Sequence, residues 1–210
     1  MKKSILFLSV ILLVYVFLYW FNLNYVLTFE NISVLYEDMI DGNEDVAKTL
    51  YDSTHKYWIA GVFIAIISSL FKILFYSLVV YLGYYIIDKQ KFTPIFQAVV
   101  GAEFVNIIMA IVKNVNLAFV NPPESLLNIS VIPFSLMSFF NENVLDQWMV
   151  VPLSAANIFE VAYIVLLSLL LSKKLQKPFS NSCKTVLLSY GLVTLLYIVG
   201  TTFFSMYATK

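Results

Sequence analysis

The chain has no arginine; all thirteen of its basic residues are lysine. That removes the planar guanidinium fork that grips phosphate and carboxylate with two bonds at once. No segment carries a basic stripe either, which argues against nucleic acid as a partner. A lysine-only basic set also leans toward an AT-rich bacterial genome. The single cysteine, Cys183, excludes an internal disulfide, and no Cys/His cluster points to a metal. Charge is scarce, at 12% of 210 residues, where soluble domains carry about 25%. Also missing are the GxSxG, HExxH and P-loop patterns. Serine and tyrosine are plentiful but fall at helix-packing spacings, and no histidine joins them in an apolar stretch. The expectation is therefore a protein that is not an enzyme and that carries no cofactor.

What the chain has instead is apolar length. Hydrophobic residues make up 60% of it, and a bilayer core of about 30 Å needs roughly 20 of them in a helix. Five stretches qualify: Ile5 to Leu27, Trp58 to Ile87, Pro94 to Lys113, Met149 to Leu171 and Thr185 to Tyr207. "MKKS" before the first could open a secretory signal. Its apolar run is longer than a signal's, and "FNLNYVLTFE" after it offers no small-x-small cleavage site, so an uncleaved span is expected. The fold class read from this pattern is all-α, a polytopic membrane helix bundle of five transmembrane helices.

The lysines orient it. Lys2 and Lys3 precede the first span, Lys89 and Lys91 follow the second, and Lys173, Lys174, Lys177 and Lys184 follow the fourth. The acids take the other side. Glu30, Glu37, Asp38, Asp41, Glu44, Asp45 and Asp52 crowd the first outer segment, and Glu124, Glu142 and Asp146 the second. The N-terminus is then inside and the C-terminus outside. Residues 1–28 read as an N-terminal anchor helix, 29–57 as an acidic external segment with a helix from Val46 to Tyr57, and 58–210 as a four-span membrane domain. The acidic segment is a solvated face or a cation-attracting vestibule; His55 in it is read as exposed. Val131 to Phe140, in a stretch broken by proline and asparagine, is expected to lie in the interface or re-enter the bilayer. Trp20, Trp58 and Trp148 fall near outer boundaries, as an aromatic belt would.

Three charges lie within the apolar runs: Lys72, Glu103 and Glu160. Each costs about 2.5 to 3.5 kcal/mol to insert at a helix centre, so each should face the bundle and find a partner. Helical steps of three and four put Gly61, Ala65, Ser68, Tyr76, Val79 and Gly83 on the face of Lys72, a small-residue packing seam. Glu103, Asn106, Ala110 and Lys113 share a stripe, as do Ser154, Asn157 and Glu160, and Tyr190, Thr194, Tyr197, Thr201 and Ser205. The candidate cluster is Lys72, Glu103, Asn106, Asn157 and Glu160, with Tyr76, Tyr190, Thr194 and Tyr197 contributing. Lys72 is expected to pair with Glu160 or Glu103 near mid-membrane. One lysine cannot neutralise two carboxylates, so the other carboxyl is either protonated or binds an ion in transit.

Residues 157–193, "NIFEVAYIVLLSLLLSKKLQKPFSNSCKTVLLSYGLV", resemble bacterial members of the YIP (Ypt/Rab-interacting protein) domain family. Those proteins have an apolar helix opening on a polar or acidic motif, a short basic turn and a final apolar helix. "FTPIFQAVVGAEFVNIIMAIVK", residues 92–113, resembles the family's central helix. The resemblance spans about residues 60–207. It implies a five-span, permease-like membrane protein with an inside N-terminus and an outside C-terminus, and it assigns no catalytic residue.

Two functions fit. The first is a scaffold or accessory subunit of a bacterial inner-membrane complex, with the charged cluster holding the bundle. Its partners are the lipid bilayer and other membrane proteins or a second copy. The second is a small permease or transporter-like subunit that uses the cluster to couple a proton or ion. A transporter should show a cavity at Glu103 or Glu160 and a helix broken at Gly or Pro. Pro94 and Pro152 lie near span ends, which leaves Gly191 and Gly200 as the main candidates for breaks and leans toward the scaffold.

Overall fold

The computed structural model describes residues 2–36, 43–140 and 145–208. Glu37, Asp38, Asp41 and Glu142 of the outer acidic segments lie outside the described residues. The described chain is all-helical, with no strand among those residues. Its helices are α1 (Lys2–Phe21), α2 (Phe29–Leu35), α3 (Glu44–Lys56), α4 (Trp58–Asp88), α5 (Phe92–Val115), α6 (Leu126–Ser130), α7 (Gln147–Ala155), α8 (Ile158–Leu175), α9 (Phe179–Val186) and α10 (Leu192–Ala208). Wider π turns extend α1 over Asn22–Val26 and α5 over Asn116–Val120, and join α9 to α10 over Leu187–Gly191.

Four helices are long and apolar enough to cross a membrane: Leu6–Val26, Trp58–Asp88, Phe92–Val120 and Phe179–Tyr207. Their outward residues are apolar, as with Leu13, Phe63, Ile67, Phe71, Ile86, Leu188 and Phe204. A chain in water would bury such side chains; hydrocarbon accepts them.

The fourth apolar stretch corrects the expectation. Met149 to Leu171 is not one helix but two, α7 and α8, parted at Ala156 and Asn157. Asn157 leaves helical geometry, and its side chain accepts the Glu160 amide at 2.8 Å, which caps a new helix. Pro152 sits inside α7 and brings no amide hydrogen to the ladder. Residues 134–136 satisfy the groups freed at the break. Leu136 N–H donates to Ala156 O at 2.9 Å and Ile158 N–H to Phe134 O at 3.4 Å, an isolated antiparallel bridge. Phe134 takes a left-handed conformation there, φ 60°, which costs a bulky residue about 1 to 3 kcal/mol.

Two lysine-bearing turns lie at the same end of the bundle. Lys89 closes α4 and Gln176 closes α8, each in left-handed geometry. Lys177 pairs with Asp88 across these turns, and Lys174 Nζ donates to Gln97 Oε1 at 3.0 Å. At the other end Asn22 Nδ2 donates to Asn114 Oδ1 at 2.9 Å, so α1 and α5 run in the same direction. The helix α5 is the hub, packed against α8, α4 and α1. The core runs from Ile95 to Ile107 along it and closes on Val80, Tyr84, Leu167, Leu171 and Val186. Close approach is enforced at Gly83, where a Cβ would stand 2.8 Å from Ser189 Cβ.

The lysine seam is shifted from its expected place. The buried stripe of α4 is Ile73, Ser77, Val80 and Tyr84, one residue, about 100°, around from Lys72. Apolar residues surround α4 on all sides, so periodicity gave its inward face only a weak mark. Lys72 stands at the edge of the buried face, and its long stem carries the ammonium inward. In the outer segment α3 begins at Glu44, two residues before the expected Val46, because Asn43 caps it and Glu44 and Asp45 suit a helix N-terminus.

Candidate functional site

All five apolar segments meet at one polar cluster. On α5, Glu103 is fully buried, 0% exposed. Its Oε1 forms an ion pair with Lys72 of α4 and accepts the Tyr15 hydroxyl of α1 at 2.5 Å. Its Oε2 accepts Asn106 Nδ2, one turn on, at 3.0 Å. Lys72 Nζ also lies 3.5 Å from the Tyr15 hydroxyl and over its ring. Three donors from three helices thus converge on one carboxylate. A buried charge is tolerated only when its oxygens are met in this way.

Glu160 is the second carboxylate and has a different setting. It sits in the first turn of α8, where the cap fixes its backbone. The Tyr190 hydroxyl, carried inward by the π turn, reaches its carboxylate. Lys72 is within electrostatic reach but forms no ion pair with it. Glu160 Oε1 is buried with no hydrogen-bond partner among the described residues, and so is the Tyr163 hydroxyl one turn along. Tyr76, Tyr163 and Tyr190 stack edge and face around this point, with centroids 4.9 Å apart for Tyr76 and Tyr190 and 5.0 Å for Tyr163 and Tyr190. A cavity of about 380 Å³ opens at the break, lined by Glu160, Asn157, Ser135 and the apolar Phe134, Leu136 and Phe139.

The cluster read from sequence is brought together in unequal ways. Lys72, Glu103 and Asn106 are in direct contact. Asn157 and Glu160 touch each other through the cap, and Tyr76 and Tyr190 join them to the lysine side. Thr194 and Tyr197 stand off; they line a lateral crevice of about 250 Å³ with Phe71, Phe75 and Lys72. Asn157 is a helix cap rather than a member of a mid-helix stripe. Tyr15 and Tyr163 are additions. Their signal was a phenol near the middle of an apolar run, which reads as bulk until its neighbours are known.

Among the described residues no group of His, Cys, Asp and Glu has the arrangement of a metal site. The arrangement can hold a proton or a small cation. Two carboxylates share one lysine, and Lys72 is paired with Glu103 rather than Glu160. Comparison with family models, with curated proteins and with solved structures finds no match to this chain.

Proposed function

We propose that the protein is a small permease-like subunit of the bacterial cytoplasmic membrane. Glu160 takes up and releases a proton or small cation at the break in the fourth crossing. The observation that carries this reading is a buried carboxylate oxygen with no protein partner, beside a broken helix and an open cavity. An unpaired buried polar group costs about 1 to 3 kcal/mol, and such groups mark sites where water or an ion completes the shell. Broken helices at mid-membrane, with irregular backbone lining a cavity, are the geometry of ion-coupled carriers. A cavity at Glu160 was one mark expected of a transporter; the break falls at Ala156 and Asn157 rather than at the expected Gly191 or Gly200, and Lys72 with Glu103 supplies the fixed frame.

In this reading the chain crosses five times, in the YIP-like layout, with the lysine-bearing turns inside. The helices α7 and α8 supply about 40 Å together at 1.5 Å per residue, enough for one crossing with a break. The test is flux into proteoliposomes under an imposed proton, sodium or potassium gradient. Wild type should carry one of these ions, and Glu160→Gln should lose at least about tenfold of the rate while keeping its thermal stability. Equal flux in both, or none under any gradient, would sink the reading.

The saturated Glu103 favours a second reading. A carboxylate bonded from α1, α4 and α5 is a cross-brace, as a scaffold or accessory subunit requires. Stable co-purification of other membrane proteins in mild detergent, with no flux, would favour it.

A further inference from the structure

A second polar site lies where α5 ends and the Asn116–Val120 turn meets residues 121–138. It is a cavity of about 510 Å³, whose walls include Lys113, Asn116, Asn121, Glu124, Asn128 and Ser138. That is within the range of ligand pockets, and amounts to about seventeen water volumes at about 30 Å³ each. Lys113 and Glu124 both line it, yet neither side chain forms an ion pair or hydrogen bond among the described residues. The walls are braced from within. Asn121 Nδ2 donates to Asn116 Oδ1 at 3.2 Å, and Asn128 Oδ1 accepts the amides of Glu124 and Ser125 at 3.1 and 2.8 Å. Those bonds anchor the backbone of the segment that carries Glu124.

Opposite charges that line one cavity without pairing are complementary to a molecule that carries both charges itself. We propose that this cavity binds a small zwitterion of the amino-acid class, its carboxylate on Lys113 and its ammonium on Glu124. A simple anion would meet Glu124 and a simple cation would meet Lys113, so each single charge is opposed by one wall. The amides and the Ser138 hydroxyl supply neutral hydrogen bonds, and the volume leaves room for a short side chain and water. The site is separate from Glu160, and binding there does not require that any ion move through the bundle.

The test is calorimetric titration of the full chain in lipid nanodiscs, with L-alanine and L-glutamine as zwitterions and propionate and L-alaninamide as single-charge analogues. Saturable binding of at least one zwitterion is expected, with both analogues weaker by about tenfold or more, the scale of a charge-assisted hydrogen bond. Lys113→Gln and Glu124→Gln should each weaken the zwitterion by a similar factor. In Glu124→Gln, alanine and propionate should bind alike. Lys113→Arg keeps the charge and should keep binding, and Glu160→Gln should leave it unchanged. No saturable binding of either zwitterion overturns the proposal, as does binding indifferent to both charge removals. If Lys113→Gln fails to fold, Glu124→Gln on the exposed rim decides it.

Discussion

Glu103 and Glu160 sit in the same bundle and differ in almost everything around them. Glu103 lies in the middle of an unbroken helix at the hub of the fold, with both oxygens engaged by Lys72, Tyr15 and Asn106. Glu160 lies on the first turn after a break, beside a cavity, with one oxygen unpartnered. The comparison separates two uses of a buried acid. One is spent on architecture. The other is left available, and the chain bears a left-handed Phe134 beside it.

The largest effect should come from breaking the architectural side. Lys72→Met leaves Glu103 buried with no cation, a loss of about 3 to 5 kcal/mol by analogy with other broken buried pairs. Thermal unfolding in detergent measures it. Charge reversal at either residue should cut expression, and the swap Lys72→Glu with Glu103→Lys should restore part of it. Glu160→Gln should cost far less in the same assay, since no ion pair is lost; equal losses would erase the distinction between the two acids.

The phenols sharpen the contrast at smaller scale. Tyr15→Phe removes a donor to a buried carboxylate and should cost about 1.5 to 3 kcal/mol. Tyr163→Phe removes a hydroxyl that has no protein partner and should cost nothing measurable in unfolding, although it adjoins Glu160. Between these two falls Asn157→Ala, which removes the cap of α8 at about 1 kcal/mol. Its mark is a fall in ion flux larger than the fall in stability, because the cap fixes where Glu160 sits.

Much of the frame was legible in the sequence, since length and hydropathy suffice to locate a spanning helix. The α4 and α5 runs are read within two residues of their ends. The site was legible only in its membership. Lys72, Glu103 and Glu160 are conspicuous because charge is rare in such runs. The break was hidden because Met149 to Leu171 is apolar throughout, and a hydropathy window cannot distinguish one helix from two. Its local mark was present: Asn157 with Glu160 three residues on is the spacing of a capped helix start, here set five residues after Pro152. The choice between glutamates depended on which face of α4 turns inward, and that is set by contact with α5 and α1 rather than by α4's own sequence. Tyr15 escaped notice for the same reason, being distant in the chain from everything it bonds.

The break also bears on how the protein is made. The nine residues of α7 rise only about 14 Å, less than half a bilayer core, so α7 cannot rest in the membrane as a crossing of its own. The polar backbone at Ala156 and Ile158 finds its partners only in residues 134–136, which precede it in the chain. The break is therefore satisfied only once residues 134–136 are docked against it.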